Sequence, residues 1–255
     1  MPITGTLAEN IVGKDRARIL EAMAGITLAA WGYLYWDART MKCARWMSAG
    51  TLWNLPGFVT MLIMWSIMMV AMMMPSAAPM VMTFALVNRK RKERHAPYVP
   101  AAVFLLGYVM VWTAFSAVAT TAQFWLTSVQ LLSMSMASAS PAFAGSLLIA
   151  TGLFQWTPWK QQCLSHCAGP LQFLMGAWRE GWSGALHMGI RHGLFCLGCC
   201  WAVMALLFVA GVMNLLWVAA LSLFVLAEKL APRVVSRPGG AMMAIAGAWV
   251  LFRFS

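Results

Sequence analysis

Apolar residues fall in long blocks along this chain, without the alternation of a half-buried strand or the single stripe of a surface helix. Three stretches, 46–88, 95–159 and 192–227, contain no Asp, Glu, Lys or Arg. A helix needs about 20 apolar residues to cross a bilayer, so these stretches alone accommodate roughly five crossings. The pattern predicts spans at about 19–36, 58–87, 99–125, 142–156, 185–210 and 213–227. A last apolar run at about 239–252 is a seventh span or an interfacial helix. Trp31, Tyr33, Tyr35 and Trp36 close the first span with an aromatic belt, which reads as a retained anchor rather than a cleaved leader. Pro75 and Pro79 predict a kink in the second. Segment 157–184 is too polar to span. With Trp159, Leu171, Phe173, Leu174 and Trp178 it reads as an amphipathic helix or re-entrant turn at the interface. The expected fold is all-α: a single integral membrane domain over 1–255, a polytopic bundle of six to seven transmembrane helices with an interfacial amphipathic segment between spans four and five.

Composition narrows the class. Of 255 residues, 62% are hydrophobic and 10% charged, against about 25% charged in soluble domains. This excludes a water-soluble enzyme, a disordered chain and a small disulfide-stapled module. The net charge of +11 sits in short tracts between apolar runs, so it reports topology and contact with the lipid bilayer, with no nucleic acid implied. With the N-terminus inside, thirteen Lys and Arg face the cytoplasm and four the outside. The expected location is a bacterial inner (cytoplasmic) membrane, multi-pass, N-terminus cytoplasmic.

The chemistry concentrates late in the chain. Cys43 and His95 stand alone, whereas Cys163, His166, Cys167, His187, His192, Cys196, Cys199 and Cys200 fall within one short region. At 100° per residue, His192, Cys196, Cys199 and Cys200 share an arc of about 100° on the fifth span, and His187 points elsewhere. Cys163 and Cys167 share one face of a helical segment at i, i+4. Thiolate and imidazole suit Cu(I) and zinc; a free cysteine is also simply a small hydrophobe. Met64, Met68 and Met72 form an i, i+4 thioether ladder with Met61 beside it, able to pass a soft monovalent ion, and Met134 and Met136 could capture it outside. The ladder is similar to the Met-x-x-x-Met motif of the eukaryotic high-affinity copper transporters. Packing by adaptable methionines is the plainer account. All seven carboxylates lie in loops or near span ends, which argues against Mg²⁺ or Ca²⁺ transport. Glu228 is expected to pair with Arg191. Gly189 and Gly193 form a small-xxx-small step for an unspecified helix.

Three motifs carry a family resemblance. They are Gln155-Trp156-Thr157-Pro158-Trp159-Lys160 with Cys163-Leu164-Ser165-His166-Cys167; the run from Gly189 through His192 to Cys199-Cys200-Trp201, continuing to Gly211-Val212-Met213-Asn214 and Glu228-Lys229; and Ala71-Met72-Met73-Met74-Pro75-Ser76. Over roughly 58–232 they resemble a bacterial family of uncharacterised integral membrane proteins described as predicted metal-binding. The resemblance implies a multi-span helical protein with a metal site and supplies no activity.

The leading functional expectation is a soft-metal membrane protein, with copper favoured and zinc open. Its metal residues would be Cys163, His166, Cys167, His192, Cys196, Cys199, Cys200, Met64, Met68 and Met72, acting in transport or delivery. The alternatives are a membrane metalloenzyme or thiol-disulfide oxidoreductase, using Cys196-x-x-Cys199, and an accessory subunit of a larger membrane complex. Partners would be the bilayer, the metal ion, and other membrane subunits or a metallochaperone.

Overall fold

The computed structural model describes residues 3–40, 55–93, 97–132, 138 and 140–254. Cys43, His95, Met134 and Met136 lie outside the described residues. In chain order the helices are α1 (Ile3–Thr40), α2 (Leu55–Lys92), α3 (Ala101–Ser128), α4 (Pro141–Phe154), α5 (Pro158–Ala168), α6 (Pro170–Ala177), α7 (Gly181–Ala205), the single turn α8 (Leu207–Ala210), α9 (Leu215–Leu230) and α10 (Pro232–Phe254). The all-α expectation therefore holds.

Among the described residues, four helical stretches are long and apolar enough to cross a membrane: Leu55–Lys92, Ala101–Ser128, Gly181–Ala210 and Val234–Arg253. Of the expected six to seven spans, length and hydropathy support these four. Helix α1 is long, but Glu9, Lys14, Asp15, Arg16, Arg18 and Glu21 interrupt its first half. Helices α4 and α9 have 14 and 16 residues, short of the usual crossing. The final apolar run gains length because its helix begins at Pro232.

Local sequence sets the boundaries. Proline stands in the first turn of α4, α5 and α6, where its missing N–H is harmless. Ser140, Thr157 and Asn214 cap α4, α5 and α9 by accepting the N–H of Phe143, Lys160 and Trp217. The expected interfacial segment becomes α5 and α6, joined at Gly169, and Cys163, Leu164, Cys167, Phe173 and Leu174 are buried against the bundle.

Helix α2 is the core of the fold and is assigned without interruption through Pro75 and Pro79. Carbonyls in the turn before Pro75 take hydroxyl donors. Ser76 and Tyr108 donate to the Met73 carbonyl at 2.8 and 3.2 Å, and Ser222 to that of Met72 at 3.2 Å. Hydroxyls of α2 itself, α3 and α9 thus bond backbone carbonyls beside Pro75. Met61, Met64, Met68 and Met72 are buried, and so are Met69, Met73 and Met74. Burial does not single out the ladder.

Glycine fixes two helix crossings. The small-xxx-small step of α7 meets α3: a Cβ at Gly189 would overlap the Phe104 carbonyl, and one at Gly193 would lie 2.9 Å from Val111. Helices α4 and α10 meet in the same way, with a Cβ at Gly152 falling 2.6 Å from the Gly240 oxygen. Small residues permit such backbone approach in a bundle.

Candidate metal centre

Helix α7 turns His192, Cys196, Cys199 and Cys200 inward, each no more than 2% exposed, and leaves His187 and Arg191 at the surface. Helix α5 lies against this arc. It approaches closely because residue 198 is glycine: a Cβ there would stand 2.9 Å from the Cys163 sulfur. The Cys167 thiol stands beside Cys196 and Cys199, and Cys196 beside Cys200. Cys199 and Cys200 donate to the Cys196 carbonyl at 3.1 and 2.8 Å. All five described cysteines are free thiols.

Helix α5 lies outside the four long apolar helices, and its thiols are held protonated. The hydrogen bonds to Cys196 and Cys199, with burial behind them, push Cys167 well above the usual thiol range. Burial, then the nearby Cys199, raises Cys163. Among the described residues, no group of three or more His, Cys, Asp or Glu side chains stands in ligating geometry for a metal ion. The thiols of α5 and α7 form one buried cluster.

His192 is held by rings alone. Its imidazole lies 5.4 Å from the Tyr108 ring, 6.0 Å from Phe104 and 5.8 Å from Phe173. Both ring nitrogens are buried with no hydrogen-bond partner, an arrangement that costs free energy unless something else is bound there. Tyr108 links it to the thiols, because its hydroxyl lies 3.2 Å from the Cys196 sulfur.

Sequence reasoning missed Tyr108, Ser76, Lys160 and Lys229. The Lys229 ammonium donates to Cys196 Sγ at 2.9 Å and to Ser76 Oγ at 2.7 Å. Its sequence neighbour Glu228 faces another way and binds Lys160, which donates to its two carboxylate oxygens at 2.8 and 2.9 Å. The expected Arg191–Glu228 pair is corrected accordingly. Arg191 is exposed, with its guanidinium 5.9 and 5.8 Å from the rings of Phe173 and Phe195. A carboxylate at the end of an apolar helix meets whatever cation the tertiary packing brings, and α5 brings Lys160. The signals in sequence were the adjacent pair Glu228-Lys229 closing an apolar run and the family motifs that end on Lys160 and Ser76.

The other expected site residues are more dispersed. His166 is exposed, stacks on Phe195 with ring centroids 4.4 Å apart, and places Nδ1 2.9 Å from the Gln162 carbonyl. Met72 accepts a hydrogen bond from Ser222 of α9 at its backbone carbonyl. Farther along α2, Met61 Sδ accepts from Gln123, whose Oε1 takes the Trp65 indole at 2.6 Å.

One family model matches residues 62–250, and it is described as PpoB2, copper chaperone. No curated protein and no solved structure matches the chain.

Proposed function

The chain belongs to the PpoB2 copper chaperone family, and from that premise we propose that it is a polytopic membrane protein that binds Cu(I) at the α5–α7 thiol cluster and delivers it. The matched family speaks for copper and gives no support to zinc. Cys167, Cys196, Cys199 and Cys200 are the thiol donors and His192 the imidazole donor, with Cys163 beside them. A Cu(I) ion favours these soft donors, and each thiol that ligates it releases its proton to solvent as the copper–sulfur bond forms. His166, exposed one residue from Cys167, is the exchange point with a metallochaperone or client. The Met64, Met68 and Met72 ladder, with Met134 and Met136, is the route from the far side. The N-terminus is cytoplasmic in a bacterial inner membrane, and α1, α4 and α9 complete seven crossings.

The observation that carries this reading is His192. An imidazole with both nitrogens buried and unpartnered, touching Tyr108 beside Cys196, is a poor packing residue and a ready ligand. The test is elemental analysis of detergent-purified protein reconstituted anaerobically with Cu(I). Copper retained by the wild type and lost from His192→Ala/Cys196→Ala/Cys199→Ala supports the site. Equal copper in both forms, or none in either, removes it. Copper-free protein with a reversible disulfide would instead favour the thiol oxidoreductase.

A further inference from the structure

Helices α1 and α2 run antiparallel, and two cavities lie along the crevice between them. The first, about 440 Å³, is lined by Arg16, Arg89 and Lys92 with Tyr98 and Glu93, over a floor of Ile19, Ala85 and Leu86. The second, about 320 Å³, lies deeper and is almost wholly apolar, formed by Ile26, Ala29, Ala30 and Tyr33 of α1 against Ile67 and Val70 of α2, with Ser66 the one polar side chain.

Their order matches an amphiphile. Arg16 and Ile19 sit where α1 turns apolar, and Arg89-Lys90-Arg91-Lys92 closes α2. The cationic mouth therefore lies at the headgroup level of the membrane that α2 is long enough to cross. From Ile19 the second cavity starts about 10 Å along α1 and ends at about 21 Å, bracketing the depth of one hydrocarbon leaflet, about 15 Å. Glu93, the carboxylate among the described residues at the mouth, is 4.0 Å from Arg89, and Lys92 lies 4.9 Å from the Tyr98 ring, so these two cations are held at the cavity. Among the described residues of the mouth, Arg16, Arg89 and Lys92 stand against Glu93, a balance that favours a phosphate.

We propose that this crevice binds one anionic phospholipid, with its phosphate at Arg16, Arg89 and Lys92 and one acyl chain lying along Ile26, Ala29, Tyr33, Ile67 and Val70. The proposal is independent of the copper site. A phosphate could also come from solution, and only the lipid would use the apolar cavity.

The test is native mass spectrometry of the purified full chain in detergent with dioleoyl phosphatidylglycerol, dioleoyl phosphatidylcholine or inorganic phosphate. The expected result is one phosphatidylglycerol retained in preference to phosphatidylcholine by about tenfold, given the weight of each cation near an anionic headgroup. Arg16→Gln/Lys92→Gln should abolish that preference, and Arg18→Gln/Lys90→Gln, which removes the same charge beside the cavity, should keep it. Ala29→Trp, filling the exposed apolar cavity, should release the lipid with the cations intact. Equal retention of the two lipids overturns the proposal, as does equal loss from both double variants. Unchanged binding in Ala29→Trp, or phosphate bound as tightly as phosphatidylglycerol, reduces the site to an anion site and overturns the lipid assignment. Thermal unfolding of each variant separates loss of binding from loss of fold.

Discussion

Lys160 and Glu228 meet in the interior with side chains 0% and 2% exposed, and the ammonium reaches both carboxylate oxygens. The pair ties α5 to α9 at the level where α5 delivers its cysteines to α7. Removing one partner from such a pair strands the other charge, whereas removing both can be nearly neutral. Glu228→Met and Lys160→Met are each expected to lower stability by about 3–5 kcal/mol. Lys160→Met/Glu228→Met should recover most of that loss. Unfolding in detergent checks the cycle, and additive losses would show that the two side chains act separately.

His192 separates packing from ligation. Phenylalanine preserves the ring contacts with Phe104, Tyr108 and Phe173 and removes both nitrogens. Because those nitrogens have no hydrogen-bond partner, His192→Phe should leave the melting temperature unchanged or raised. Cu(I) affinity, measured by competition with a chromophoric chelator, should fall at least about tenfold, the weight of one ligand-level interaction. Undiminished affinity would make His192 a core residue only.

The two cysteines of α5 should behave differently. Cys167 touches Cys196 and Cys199, while Cys163 lies over Gly198 at the edge of the cluster. Cys167→Ser is expected to weaken Cu(I) binding strongly and Cys163→Ser weakly in the same competition assay. The reverse order would place the ion toward the Cys163 end of that face, over Gly198.

The α3–α7 crossing predicts a contrast among glycines. Gly189→Leu must push α7 away from the Phe104 backbone, and such overpacking costs about 1–3 kcal/mol or more. It should lower copper affinity as well, since Phe104 also stacks on His192. Gly25→Ala and Gly32→Ala, which meet nothing within 4 Å, should be neutral or stabilising by about 0.5–1 kcal/mol within a helix. Thermal melts of the three variants decide it.

What the sequence determined by itself was everything set by one helix period or one local cap. The apolar blocks dictate an all-α chain, and the starts of α4, α5 and α9 are written in Ser140, Thr157 and Asn214. The inward arc of His192, Cys196, Cys199 and Cys200 also follows from spacing, because 100° per residue is a property of the backbone. Tertiary structure decided the rest. Glu228 chose Lys160 over Arg191, Gly189 met α3, and Cys196 acquired Tyr108 and Lys229, all through contacts between residues distant in sequence. Each depends on which helices lie side by side and at what register. Hydrophobicity specifies that a helix is buried; close packing and the matching of buried polar groups specify against what.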